Sequence, residues 1–117
     1  MFRMSLALAA ALMAVSVAVA TASTTATKLV GTDGPGFTIT LTKAGKKVKT
    51  LKAGKYTITN RDKSNIHNFH LKGPGLNKLT SVGYVGSKTW TVTLKKGTYK
   101  YVCDPHASIM KGAFKVT

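Results

Sequence analysis

Beyond residue 22 the chain contains one cysteine, one methionine and three histidines, and all five fall in two short segments. Ile66-His67-Asn68-Phe69-His70-Leu71 carries two of the imidazoles. Cys103-Asp104-Pro105-His106-Ala107-Ser108-Ile109-Met110 carries the thiol, the third imidazole and the thioether. Taken singly, each has an ordinary reading: a cysteine packs as a small hydrophobe, a methionine fills core gaps, and a strand histidine is usually hydrogen-bonded or exposed. Scattered core residues would not sort themselves into a C-x2-H-x3-M run with an upstream His-Asn. Cu(I) favours soft thiolate and thioether, Cu(II) favours imidazole, and a trigonal His2Cys site with a long axial Met accommodates both. Little geometric change between the two states means rapid one-electron transfer. Zinc recruits four strong N/S donors, among which a thioether is poor. A Cys–His nucleophile is the enzymatic competitor, yet no Asn, Asp or Glu is obviously placed to orient the imidazole. Copper, one ion per chain, is the expected cofactor, and no enzymatic activity is expected.

Such ligands need a rigid frame, and the sequence supplies alternating strands. Phe37, Ile39 and Leu41 alternate with Thr38, Thr40 and Thr42, and the same period recurs at Tyr56-Thr57-Ile58-Thr59, Trp90-Thr91-Val92-Thr93-Leu94 and Tyr99-Lys100-Tyr101-Val102-Cys103. Breaker clusters separate the runs: Asp33-Gly34-Pro35-Gly36, Lys43-Ala44-Gly45, Asn60-Arg61-Asp62, Gly73-Pro74-Gly75 and Lys96-Gly97. Short half-polar strands with frequent turns predict an all-β fold, an antiparallel β-sandwich. Leu51-Lys52-Ala53-Gly54-Lys55-Tyr56 and Leu94-Lys95-Lys96-Gly97-Thr98-Tyr99 share the form L-K-x-G-x-Y. Both read as corners whose Tyr hydroxyl bonds back to upstream backbone.

Composition narrows the function further. The 117 residues hold 18 Lys+Arg against 3 Asp+Glu, a formal net charge of +15. The acids are Asp33, Asp62 and Asp104, so paired-carboxylate catalysis has almost nothing to work with. A single cysteine excludes an intramolecular disulfide. Met1-Phe2-Arg3 followed by the 16 small-apolar residues Ser5 to Ala20 has the form of a bacterial-type signal peptide. Residues 1–22 are expected to be cleaved, after Ala20 or Ala22, leaving one exported domain over 23–117 in a periplasmic or extracellular setting.

At its ligand segments the chain resembles the cupredoxins, the family of plastocyanin, pseudoazurin and amicyanin. The resemblance runs from about Lys28 to Thr117 and is most specific at Tyr99-x-Tyr101-Val102-Cys103-Asp104-Pro105-His106 and at His67-Asn68. It implies a Greek-key β-sandwich with copper at one pole, His67, Cys103 and His106 as equatorial ligands, and Met110 as the axial one. Three residues separate His106 from Met110, a spacing between the amicyanin-type and plastocyanin-type loops. His70, an odd offset from His67, is expected to face away from the metal. The resemblance also assigns Asn68 two tasks: its backbone N–H donates to the Cys103 sulfur, and its side chain ties the ligand segments together. Pro105 has no N–H to offer that sulfur, which leaves it more electron-rich and tends to lower the potential.

His106 lies on the loop after the final ligand strand, so its outer ring edge is expected to break the surface at the copper pole, within an apolar patch of Pro105, Ala107, Ile109, Ile66 and Gly34-Pro35-Gly36. Strand direction predicts that Arg61, Lys63 and Lys111 rim this pole, with Lys95 and Lys96 at the other. The favoured function is a monomeric carrier of single electrons between larger exported redox proteins with an acidic docking face. A copper-holding or delivery protein, and a cationic exported binding module, are the alternatives. The positive charge also suits weak association with an anionic envelope surface, whereas nucleic acid is not an expected partner, there being no aromatic-basic stacking motif.

Overall fold

The computed structural model describes residues 9–18 and 25–117. Residues 9–18 carry no regular secondary structure and are exposed. The rest of the expected leader, with both candidate cleavage points, lies outside the described residues. Among the described residues no helix is long and apolar enough to cross a membrane.

From residue 25 the chain is built of strands. One sheet has the order β3-β2-β1-β5-β8, from β1 (Thr27–Asp33), β2 (Ile39–Lys43), β3 (Lys46–Lys47), β5 (Gly54–Asp62) and β8 (Gly86–Leu94). The other has the order β4-β10-β9-β6-β7, from β4 (Thr50–Leu51), β6 (His70–Gly73), β7 (Leu76–Leu79), β9 (Gly97–Val102) and β10 (Lys111–Val116). The period-two pattern buries Leu29, Leu41, Ile58 and Val92 from the first sheet against Leu71, Tyr99, Tyr101 and Phe114 from the second. Aromatic rings fill the middle: Phe69 stacks on Tyr101 at 5.5 Å and Tyr99 on Phe114 at 5.2 Å. Gly112 lies opposite Tyr101, where a Cβ would collide with the phenol ring.

The expected sandwich forms, but its sheets are mixed. β1 runs parallel to β5 (Thr27 opposite Tyr56 through Asp33 opposite Asp62), and β4 runs parallel to β10. Each parallel pair is made by a strand that crosses over rather than turning back, which no local turn signal marks. Both Tyr corners are present. Tyr56 Oη donates to the Lys52 carbonyl at 2.6 Å, whereas Tyr99 Oη accepts from the Lys95 N–H at 2.9 Å and donates to the Pro74 carbonyl at 3.2 Å.

Two local expectations are corrected. Asn60-Arg61-Asp62 is no turn: β5 continues through it, held by β1 on one side and β8 on the other. Asn60 and Asp62 keep the strand alternation and are buried, polar residues on the inward face where a turn was expected. Phe37 does not begin a strand either. The Gly34 N–H bonds to the Thr38 carbonyl at 2.9 Å, closing a loop, and β2 starts only at Ile39.

The inward polar residues gather where β1 and β5 end. Asp33 and Asp62 are opposite each other and buried. Burial, and the neighbouring Asp62 carboxylate, push the Asp33 carboxyl up to about 7, as expected for a buried acid beside a like charge; neither Asp33 carboxyl oxygen has a hydrogen-bond partner among the described residues. Asp62 Oδ1 also accepts the Ser64 N–H at 3.2 Å, and the Lys63 N–H bonds to the Asp33 carbonyl at 3.0 Å. The pair thereby fixes the start of the loop leading to His67.

Candidate metal centre

Three chain segments meet beyond the ends of β1, β5 and β9. Residues 103–110 form a compact loop that closes on itself. The Cys103 N–H bonds to the Met110 carbonyl at 3.0 Å, and the His106 carbonyl accepts from Ile109 at 3.0 Å and Met110 at 2.8 Å. Pro105 lies within the 3-10 turn Asp104–His106, where its fixed φ suits the first positions and its missing N–H costs no bond. The loop thus brings Cys103, His106 and Met110 to one place over a span of eight residues. His67 arrives from the loop after β5, just past the turn at residues 65–66 and outside any strand.

The donor atoms converge. His67 Nδ1 lies 3.1 Å from His106 Nδ1, and Cys103 Sγ lies 3.7 Å and 3.5 Å from them in turn. A point equidistant from all three lies about 2 Å from each, close to the roughly 2.0–2.3 Å of metal–nitrogen and metal–thiolate bonds. His67, Cys103 and Met110 are fully buried and His106 is half-buried, so one imidazole edge reaches the surface. Two imidazoles, a thiol and a neighbouring buried thioether are the donor set that suits both oxidation states of copper. The residues fit the metal.

The His67 ring is held by packing. Its Nε2 is buried and has no partner among the described residues. Gly34 takes the place of a second-nitrogen hydrogen bond. Its φ is +73°, and a Cβ there would lie 3.0 Å from His67 Cδ2. Phe37, displaced from its expected strand, stands edge-on to both ligand histidines, at 5.3 Å from His67 and 4.9 Å from His106. Sequence reading missed this residue. Its only signal was an aromatic immediately after Pro35-Gly36, in a segment already expected at the pole.

Asn68 does tie the two segments together. Its Oδ1 accepts the Asp104 N–H at 2.8 Å, and its Nδ2 donates to Asp104 Oδ2 at 2.8 Å and to the Thr80 carbonyl at 3.1 Å. Buried Thr80, a second residue missed from sequence, also accepts the Phe69 N–H through Oγ1 at 2.9 Å. His70 turns away from the donor cluster, as expected. Its Nδ1 lies 2.8 Å from Asp104 Oδ1 and its Nε2 2.6 Å from Asn77 Oδ1. Partial burial alone would raise Asp104, but hydrogen bonds from Asn68 and His70 and the charges of His70 and Lys72 outweigh it. Its carboxyl is held below the ordinary value. Asp104, expected only to stabilise its loop, is therefore the hub joining both ligand segments to β6 and β7.

The surface around His106 is apolar. Ile66, Ile109 and Phe37 are all exposed, beside exposed Pro105 and Ala107. Arg61 and Lys63 flank Asp62 at the end of β5, and Lys111 opens β10, so all three lie at this pole. Lys95 and Lys96 follow β8 at the opposite pole.

Likeness to known proteins agrees with the geometry. The family model described as copper binding proteins, plastocyanin/azurin family, matches residues 13–117. Reduced rusticyanin is 25% identical with a TM-score of 0.58, each chain covered to 82%. Rusticyanin from Thiobacillus ferrooxidans is 26% identical with a TM-score of 0.51, over 81% of this chain and 79% of that one. Auracyanin from Roseiflexus castenholzii, at 23% identity and a TM-score of 0.55 over 79% of this chain and 98% of its own, shares the fold. No curated protein matches the chain in sequence. With its copper-suited donor cluster at one pole of a β-sandwich, the chain belongs to the plastocyanin/azurin family of copper-binding proteins.

Proposed function

We propose that the protein is an exported carrier of single electrons, in which His67 and His106 through Nδ1, Cys103 through Sγ and Met110 through its thioether would hold copper. The convergence of the two Nδ1 atoms and Sγ onto one metal-sized triangle carries this reading. Bound copper supplies a one-electron couple. The chain's part is to keep the ligands in place in both states, so that little reorganisation accompanies transfer. Gly34 and Phe37 fix the His67 ring, the closed 103–110 loop fixes Cys103 and His106, and Asn68 locks one segment to the other. The expected bond from the Asn68 N–H to the Cys103 sulfur is not formed: among the described residues Sγ has only the two imidazole Nδ1 atoms within hydrogen-bond range. Pro105 has no N–H to offer it either, which keeps the thiolate electron-rich and the potential low for such a donor set.

The half-buried edge of His106 within its apolar patch is the electron exit. A partner with an acidic surface approaches there, drawn by Arg61, Lys63 and Lys111, without desolvating charges at the contact itself. Protein-film voltammetry of the copper-loaded chain tests the reading. A fast, reversible one-electron wave is expected. A sluggish or irreversible wave with copper stoichiometrically bound would instead indicate a copper-holding protein.

A further inference from the structure

Charge is sharply polarised along the sandwich. All three carboxylates lie in the half that carries the metal centre: Asp33 and Asp62 at the paired ends of β1 and β5, and Asp104 in the ligand loop. The opposite end holds Lys43, Lys46, Lys47, Lys49, Lys52 and Lys55, six cations within 13 residues, all exposed. Lys95 and Lys96 of the β8–β9 turn join them, since Gly54 lies opposite Leu94. The one ion pair among the described residues is His70 with Asp104, so this cap is uncompensated.

The cap is also bare of apolar contact points. From residue 25 on, the large exposed hydrophobics are Phe37, Ile66, Leu79, Val82, Val85 and Ile109, all in the metal-bearing half. Protein partners are usually gripped through apolar and aromatic anchors and through arginine. The cap offers only lysine, a point charge without bidentate geometry, and the domain's sole arginine, Arg61, is at the other pole. A depression of about 530 Å³ opens among the lysines, lined by Thr25, Thr27, Lys43, Lys52 and Lys55. Its ammonium and hydroxyl groups suit a phosphate. The chain enters β1 at this same end, Thr27 lying opposite Tyr56.

We propose that this lysine cap is a docking surface for an anionic phospholipid bilayer, on which the protein sits with its copper pole turned outward. Charge density alone suffices for such a surface, each nearby lysine contributing roughly fivefold in binding. The interaction is sensitive to salt. The inference goes beyond the electron-carrier reading and does not depend on copper: it stands or falls on lipid binding, whatever the spectrum of the metal site.

The test is sedimentation of the exported chain, residues 23–117, with vesicles of phosphatidylcholine alone or with 30% phosphatidylglycerol. Binding is expected only to the anionic vesicles and is expected to disappear in about 0.5 M salt, where the screening length falls to a few ångströms. Lys46→Glu, Lys47→Glu and Lys96→Glu together should weaken it by roughly a hundredfold or more. The matched reversal of Arg61, Lys63 and Lys111 should change it by less than about threefold. Acetylation footprinting on bound vesicles should protect Lys46, Lys47, Lys95 and Lys96 and leave Lys63 and Lys111 reactive. Equal weakening by both triple variants, equal binding to neutral vesicles, or binding to polyglutamate but not to vesicles would each overturn the proposal.

Discussion

His67 and His70 stand three positions apart and do different work. The first offers Nδ1 to the donor triangle; the second spans Asp104 and Asn77. His67→Ala should therefore abolish or radically alter the copper absorption. His70→Ala should leave the spectrum close to wild type and cost about 1–2 kcal/mol in denaturant unfolding, for hydrogen bonds lost at a half-buried site. The reverse pattern would mean that the ligand segment is turned the other way. The donor cluster was legible because soft and imidazole ligands are rare in this chain and their spacing is local. Phe37 and Thr80 were not. Phe37 acts because a loop tilts it over two rings that are distant in sequence, and Thr80 is one of many threonines until its backbone meets Phe69.

At the scale of elements, the parallel pairing of β1 with β5 has an electrostatic consequence. It buries Asp33 against Asp62 and raises the Asp33 carboxyl from 3.8 to about 7. Between these values the folded chain holds a proton that the unfolded chain has released. Its contribution to stability is thus fully present below about pH 4 and lost as pH rises through about 7, at no more than about 1.4 kcal/mol per pH unit. Asp33→Asn should flatten that decline, measured as thermal midpoint against pH. A wild-type midpoint whose fall between pH 4 and 7 the variant fully retains would contradict the raised Asp33 carboxyl. Strand existence was readable from alternation, as at Trp90-Thr91-Val92-Thr93-Leu94 and Tyr99-Lys100-Tyr101. The continuation of β5 through Asn60-Arg61-Asp62 was not, because residues typical of turns sit there in a strand flanked on both sides. Pairing across a crossover leaves no local trace in sequence, so the mixed sheets became visible only in the fold.

For the molecule as a whole, strand direction sorts the charges into two poles, and this much followed from sequence once Cys103 was placed at the end of β9. Reversing Arg61, Lys63 and Lys111 to Glu should slow bimolecular electron transfer to an acidic partner by roughly tenfold or more at low salt and flatten its ionic-strength dependence. Reversing Lys95 and Lys96 should do much less, and stopped-flow rates across a salt series decide between them. Equal effects would leave net charge as the only determinant and remove the docking face. The central claim concerns what the two loops hold at that pole. Its most direct test is the visible absorption and paramagnetic resonance spectrum of the copper-loaded chain beside that of Cys103→Ser. The account predicts an intense blue band from thiolate-to-copper charge transfer, absent in the variant; a colourless complex with one copper per chain would contradict it.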